Sequence, residues 1–476
     1  MPNRITQFAT PYLEKLRIKA DLGLYLQDQW KIRRLTLNYG MRFDYFNGYV
    51  PAQDIPATRF VQARSFAEVT NVPLWKDINP RIGGSYDIHG DGRTAIKASI
   101  GRYVSKVGIT PQRANNPITT SVNQVNRTWN DANGNYLPDC DLNSPAANGE
   151  CGPFSDLNFG KINITTRYDD DVLVGFGARE SNWDLTTEFH HQLTSGISVN
   201  GGYYRNWSGH FQATDNLAVA PIDFSPFCIT APTDPRLPSG GGYPVCGLYD
   251  VSVAKFGAVN NLVTHASEFG KQTRVSNFFS VGINTRLPSG MRLGGGFDTG
   301  RTATDNCLVI DSPQQLLNCR QTFGFSPQAQ AKFFGSYPLP KNFIVSGTFQ
   351  NVGGLPYEAN YAVANAAIAP SLGRNLSSCG TRPTCTATVS VPLITPFSQF
   401  EKRRTQLDVR LTKHVRLTEK LRLQANFDVY NAFNASTLLG VNNTYGSQWL
   451  VPASSTASGA GVLNGRLVQF SGRLGF

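Results

Sequence analysis

The chain has 476 residues, only 16% of them Asp, Glu, Lys or Arg, with 45 Gly, 11% aromatics and a formal net charge of +11. No run approaches 18 consecutive apolar residues, which excludes a transmembrane helix but not barrel strands, since those need only about ten alternating residues each. The basic surplus is scattered over polar strand positions such as Arg42, Arg410, Arg422 and Arg473, with no basic run beyond residues 401–404, which argues against nucleic acid as a partner.

The opening MPNRITQFATPYLEKLRIKADLGLYLQ lacks a charged stretch followed by an apolar one, so no signal peptide is expected. Alternation starts over 13–32 and is plain in LTLNYGMRFDY, where Leu35, Leu37, Tyr39, Met41, Phe43 and Tyr45 oppose Thr36, Asn38, Arg42 and Asp44. Successive side chains of a strand point to opposite faces, so such a segment has one oily and one wet side. Further strands are predicted at 80–88, 94–105, 181–194, 196–208, 272–288, 291–302, 327–339 and 343–352. In TQLDVRLT, Leu407, Val409 and Leu411 oppose Gln406, Asp408 and Arg410; in RLQANFDVYNAF, Leu423, Ala425, Phe427 and Val429 oppose Arg422, Gln424, Asn426 and Asp428. The closing RLVQFSGRLGF sets Val468, Phe470, Leu474 and Phe476 against Gln469, Ser471 and Arg473 up to the last residue. About thirteen strands result.

The connections alternate between tight ones, near 33, 91, 195, 289, 340 and 418, and long ones, at about 49–79, 106–180, 209–271, 303–326, 353–402 and 434–465. Short turns on one rim and large loops on the other are the pattern of periplasmic turns and extracellular loops in an outer-membrane barrel. The eight cysteines give an independent check. They fall as Cys140 with Cys151, Cys228 with Cys246, Cys307 with Cys319, and Cys379 with Cys385, every pair inside a long connection. Eight cysteines allow 105 connectivities, but four close pairs so far apart favour local disulfides, which imply an oxidising compartment. No zinc spacing accompanies them.

These features predict an all-β fold: a transmembrane antiparallel up-and-down β-barrel in a bacterial outer membrane, facing lipid. A propeller would show a blade repeat of about 40–50 residues, which is absent. A sandwich rarely needs such long loops. The polar faces, with Arg42, Asp44, Asp184, Glu188, Asp408, Arg410, Arg422 and Asp428, would line the lumen. Trp30, Tyr45, Trp75, Trp183, Trp207 and Trp449 are expected in interfacial girdles. Counting back from the last strand, the first and last run parallel and cannot close an antiparallel seam. Either the count is off by one or strands are missing at the N-terminus; the expectation is missing strands, in a fragment of a larger barrel.

One loop, WNDANGNYLPDCDLNSPAANGEC, has metal-like spacing: Asp131, Asn133, Asn135, Asp139 and Asp141 bring oxygens to a turn, as calcium prefers. It lacks the Gly at the sixth position and the closing Glu of an EF-hand, and the competing reading is an Asx-rich turn pinned by Cys140 and Cys151. His190 and His191 face opposite ways on a strand and cannot share an ion. Asp169, Asp170 and Asp171 have no nucleophile beside them, the triple glycines at 240–242 and 294–296 read as loop and strand positions, and no phosphate loop or nucleophile elbow occurs. No catalytic site and no cofactor beyond that calcium ion are expected.

Three stretches carry a family likeness: LYLQDQWKIRRLTLNYGMRFDYF (24–46), DINPRIGGSYDI (77–88) and FDVYNAFNASTLLGVNNTYGSQWLVP (427–452). Tyr25 with Asp28 to Trp30, and Tyr430 to Asn434 with Tyr445, Gly446 and Trp449, are its most specific parts. The chain resembles TonB-dependent outer-membrane receptors, most nearly their Oar-like branch. The resemblance implies a twenty-two-stranded barrel plugged by an N-terminal domain and driven by the inner-membrane TonB complex. It further implies import of an unidentified ligand, and insertion by the barrel-assembly machinery, with Phe470, Leu474 and Phe476 in the C-terminal signal. No TonB box and no plug sequence are recognisable. A passive porin-like channel and a surface adhesin or structural barrel are the rival expectations.

Overall fold

The computed structural model describes residues 3–106, 108–454 and 461–476. The main sheet is a wall of thirteen antiparallel strands that pair in chain order: β1 (Arg17–Ile32), β2 (Leu35–Tyr49), β3 (Leu74–Asp87), β4 (Thr94–Val104), β5 (Ser181–Thr194), β6 (Ile197–Gly209), β7 (Thr273–Arg286), β8 (Arg292–Asp305), β9 (Gln330–Leu339), β10 (Phe343–Val352), β11 (Arg404–Arg416), β12 (Arg422–Tyr430) and β13 (Leu467–Gly475). Two short strands, Val174–Phe176 and Arg320–Phe323, pair with β3 and β8. Tight turns at 33–34, 88–93, 195–196, 287–291, 340–342 and 417–421 join the strands at one rim. The other rim carries the connections 50–73, 105–180, 210–272, 306–329, 353–403 and 431–466. Among the described residues, no helix is long and apolar enough to cross a membrane.

Alternation sorts the two faces as the sequence predicts. The outward face leaves Leu22, Leu24 and Leu26 of β1, Phe279 and Val281 of β7, and Phe470 and Leu474 of β13 exposed, with Phe476 beyond them 99% exposed. A continuous uncovered apolar band is costly in water and is what a lipid-facing wall requires. Strands β1 and β13 are not paired with each other. Twelve antiparallel steps leave them running in the same direction, so they cannot form an antiparallel seam. In hydrocarbon each unpaired edge group costs several kcal/mol, so this seam has to be covered in a membrane.

The packed core lies in the connections, which form a roof at one end of the wall. Phe227, Ile229 and Leu248 from 210–272 meet Val363, Ile368, Leu376, Val391 and Ile394 from 353–403 and Trp449 from 431–466. Local pairs build it: Phe224–Thr230 with Pro244–Val251, and Asn360–Ala364 with Thr388–Pro392. Arg4–Phe8 pairs with Gln124–Thr128 of the 105–180 connection.

All four expected disulfides form, and each closes a loop within a single connection. Cys140 is bonded to Cys151 in 105–180, and Cys228 to Cys246 in 210–272. Cys307 is bonded to Cys319 in 306–329, and Cys379 to Cys385 in 353–403. Cys228 and Cys246 sit on the two strands of the Phe224–Thr230 hairpin, so their bond ties that hairpin across its own ladder. Cys379 is itself part of the roof core, with Cys385 packed against it. Among the described residues no cysteine is free.

Two of the expected girdle residues are buried beneath the connections instead. Trp449 is 1% exposed, donates from Nε1 to the Glu358 carbonyl at 2.8 Å, and packs beside Tyr445. Trp75 is 5% exposed, packs on Phe46 and donates to the Val172 carbonyl. A Trp near a strand end in sequence can fold inward when a long connection supplies both an apolar neighbour and a carbonyl acceptor. Trp30 is exposed on the outward face, and Trp183 and Trp207 stack across β5 and β6. Tyr45 is partly buried.

Candidate functional site: the inner wall and its roof

The inner face of β1 to β7 encloses a concavity of about 1120 Å³ lined by both wet and aromatic groups. Side chains cross-link along it. Arg42 donates to Asp44 at 2.8 Å, and Asn79 donates to the other Asp44 oxygen at 2.7 Å. Asp184 accepts from Asn182 and Asn206. Glu188 accepts from the Tyr204 hydroxyl at 2.9 Å and pairs with His190 Nε2 at 3.0 Å. Glycine makes room at one point: a Cβ on residue 23 would collide with the Arg42 guanidinium, which lies over that position. Farther round, a second concavity of about 460 Å³ is lined by Asp408, Arg410 and Asp428. Arg410 is held to Asp428 by two hydrogen bonds at 2.5 and 3.0 Å, and Asp408 accepts the Asn431 amide. Seven of the eight wall residues singled out in the sequence therefore take part in side-chain networks, and Arg422 stands exposed.

The roof is latched across its connections. Arg236 donates twice to Asp234, donates to the Trp449 carbonyl at 3.3 Å, and lies 5.0 Å over the Trp449 ring. The Tyr445 hydroxyl also donates to Asp234. A second latch joins 210–272 to 353–403: Asp250 accepts from Arg374, from the Ser377 amide and from the Ser377 hydroxyl. The Asp234 carboxyl is held down at about 2, first by the Arg236 guanidinium, with help from the Arg236 amide and Tyr445. Because its folded value lies below its ordinary one, the stabilisation is complete above the ordinary value and is lost as pH falls through the folded one. Acid titration followed by tyrosine and tryptophan fluorescence is expected to loosen this latch between about pH 4 and pH 2. The Asp234→Asn variant should lack that step; an unchanged step would assign it to other carboxyls.

The 129–151 loop closes on itself. Asp131 accepts the Gly134 and Tyr136 amides, and both Asn133 and Asn135 donate to Asp139, at 2.6 and 2.9 Å. Asp141 turns to the Asn143 amide. The residue that sequence reasoning missed is Glu150, adjacent to Cys151 of the Cys140 disulfide. It accepts from the Trp129 indole and from the Ala132 and Asp139 amides, which together hold its carboxyl below the usual range. Its separation from the turn in sequence hid it; the disulfide spacing was the signal available. Among the described residues, no three His, Cys, Asp or Glu side chains come together to hold a metal ion. His190 and His191 part company, His191 pairing with Thr94. Asp169 caps a short helical turn by accepting the Asp171 amide.

A family model described as "Outer membrane beta barrel domain" matches residues 2–469. No curated protein matches the chain significantly. Similar solved structures include the siderophore receptor PiuA from Acinetobacter baumannii, at 9% identity and a TM-score of 0.44, covering 95% of this chain and 42% of that one. The outer membrane transporter YddB from Escherichia coli follows at 9% identity and 0.42, covering 95% and 53%. The FrpB iron transporter from Neisseria meningitidis has 13% identity and 0.43, covering 95% and 45%. The chain spans about half the length of these structures, or less.

Proposed function

The chain belongs to the outer-membrane β-barrel domain family, and from that premise we propose that it forms wall and outer loops of a receptor that imports a ligand across the bacterial outer membrane. Ligand capture falls to the long connections, extracellular on this reading, and to the polar inner wall. Release inward is driven by the TonB complex acting through a plug in the lumen. The observation that carries this reading is the roof: three connections share one buried core, and the inner wall carries a polar concavity of its own, whereas a porin needs an open mouth. No catalytic step is assigned to it. The test is uptake by cells producing the gene product, measured across metal chelates, vitamins, glycans and peptides, with and without a working TonB complex. Uptake that needs TonB supports the receptor. Uptake indifferent to TonB favours a passive channel, and none at all favours an adhesin or structural barrel.

A structural calcium ion belongs to the same proposal. Its support is the sequence spacing alone, which puts the oxygen-bearing side chains of Asp131, Asn133, Asn135, Asp139 and Asp141 on one short turn of the kind hard cations use. In the structure Asp131, Asp139 and Asp141 accept amide N–H groups, which the ion would displace. Calorimetric titration with calcium should release or absorb heat in the native protein and none after Asp131→Ala. Absence of heat in both ends the idea.

A further inference from the structure

The basic surplus of the chain is not spread evenly. In the long connections acidic and basic residues nearly balance, while the tight-turn rim is rich in Arg and Lys. Two of its hairpins carry a feature that sheets normally avoid. Arg286 stands directly opposite Arg292 on β7 and β8, and Arg416 directly opposite Arg422 on β11 and β12. Directly opposed like charges, with Cβ atoms about 5 Å apart, destabilise a sheet. Arg473 is opposite Gln424, diagonal to Arg422 and on the same face.

All five point inward. Ser276 and Phe278 of β7 line the large concavity, and the register from them to Arg286 is unbroken, so alternation places Arg286 and its partner Arg292 on that face. Arg292 itself lines the second concavity with Asp408, Arg410 and Asp428, whose strands carry Arg416 and Arg422 in the same alternation. All five guanidiniums are exposed. Among the described residues, none forms a salt bridge.

The separation of the clusters decides what kind of anion they suit. Arg292 is level across the ladder with Ser336, Ser346 and Arg410, and Arg416 lies farther along β11. Three strand spacings of about 4.8 Å and a further six rises of about 3.3 Å put Arg292 and Arg416 about 25 Å apart along the wall. No phosphate or small carboxylate spans that distance. A folded body of about 100 residues, with a radius of gyration near 13 Å, does. Lipid headgroups surround the outside of a barrel, and these side chains face its lumen.

We propose that Arg286 with Arg292, and Arg416 with Arg422 and Arg473, are two docking points for the acidic face of a folded protein body seated in the lumen at the tight-turn rim. This rests on the receptor reading, in which a plug occupies the lumen, and adds the charge that the body must present there. Guanidiniums facing carboxylates would turn two opposed like-charge pairs into charge-assisted contacts.

The probes are fluorescent oligoglutamates of four and of twenty residues, titrated by anisotropy into the full chain refolded in zwitterionic detergent. An extended tetramer reaches about 13 Å and a 20-mer about 66 Å, so only the longer one engages both clusters. The 20-mer is expected to bind at least about tenfold tighter than the tetramer, through effective concentration. That gain should vanish in R286Q/R292Q and equally in R416Q/R422Q/R473Q, and persist in R301Q/R320Q. Equal binding of the two lengths, or a gain that survives both cluster variants, overturns the proposal. So does displacement of the 20-mer by inorganic phosphate or by phosphatidylglycerol micelles at comparable concentration, which assigns the arginines to small anions or headgroups. Both cluster variants should melt at or above the native temperature, because they relieve like-charge pairs; a lower melting point makes the arginines structural and also overturns it. Failure of TonB-dependent uptake would leave this binding result standing, and its own failure would leave the uptake result standing.

Discussion

Replacing Trp449 with alanine is expected to unfold the roof while leaving the thirteen-stranded wall in place. The indole is 1% exposed and sits where three connections meet. It touches Tyr445, with ring centroids 5.3 Å apart, and Tyr357 at 6.4 Å, lies under Arg236, and gives its N–H to the Glu358 carbonyl. Removing it opens a cavity in a close-packed interior and strands that carbonyl, a loss of about 3–5 kcal/mol. Trp449→Phe keeps the ring contacts and forfeits only the hydrogen bond, about 1 kcal/mol. Limited proteolysis in detergent reads the difference: in the alanine variant, cleavage should appear within 210–272 and 353–403 at protease levels that leave the native roof intact, while the wall strands resist. If the cleavage pattern of Trp449→Ala matches the native one, the roof is not held from this residue.

The wall was legible because each strand carries its own instruction. Period-two alternation over eight or more residues needs no distant partner to be read, and about thirteen such segments stand in the sequence. The disulfides were legible for a similar reason: Cys246, Cys319 and Cys385 each lie within eighteen residues of their partners, so proximity in sequence names the bond. The roof was not legible for the complementary reason. Two of its strands, Asn360–Ala364 and Thr388–Pro392, are only five residues long, too short for periodicity to separate from loop sequence. Its core joins residues more than two hundred positions apart, as Asp234 and Tyr445 do. Trp449 shows the ambiguity in one residue: a Trp near a strand end is read as an interfacial anchor until a tyrosine-rich neighbour from another connection closes over it. The wall carboxylates were found by their face, whereas Glu150 belongs to the calcium-like turn only through a disulfide that folds the chain back. Arg286 and Arg292 are ordinary singly, and become a feature once register sets them opposite each other.

Asp77→Ala is expected to release the 105–180 connection from the wall. Asp77 lies near the roof end of β3 with its side chain 1% exposed, and it receives Arg179 at 2.7 Å on one oxygen and Arg102 at 3.4 Å on the other. Arg179 ends the connection and is itself buried. It also donates to the Ser105 carbonyl and lies 5.3 Å over the Trp75 ring. Alanine at 77 therefore leaves a buried guanidinium without its anion, and breaking such a pair from one side costs about 3–5 kcal/mol. Arg102 suffers less, since it also donates to Asn79 and to the Ile78 carbonyl. The loss is expected as a lower melting temperature together with new protease cleavage inside 105–180. Removing both charges is predicted to be milder than removing one: Asp77→Ala with Arg179→Met takes away the stranded cation and keeps an apolar stem against Trp75, so the double variant should melt above Asp77→Ala alone. A double variant no better than the single one would mean that Arg179 holds the connection through Ser105 and Trp75 rather than through Asp77. The pair would then set where the connection meets the wall without supplying its strength, and the covered indole of Trp75 would be the stronger clamp.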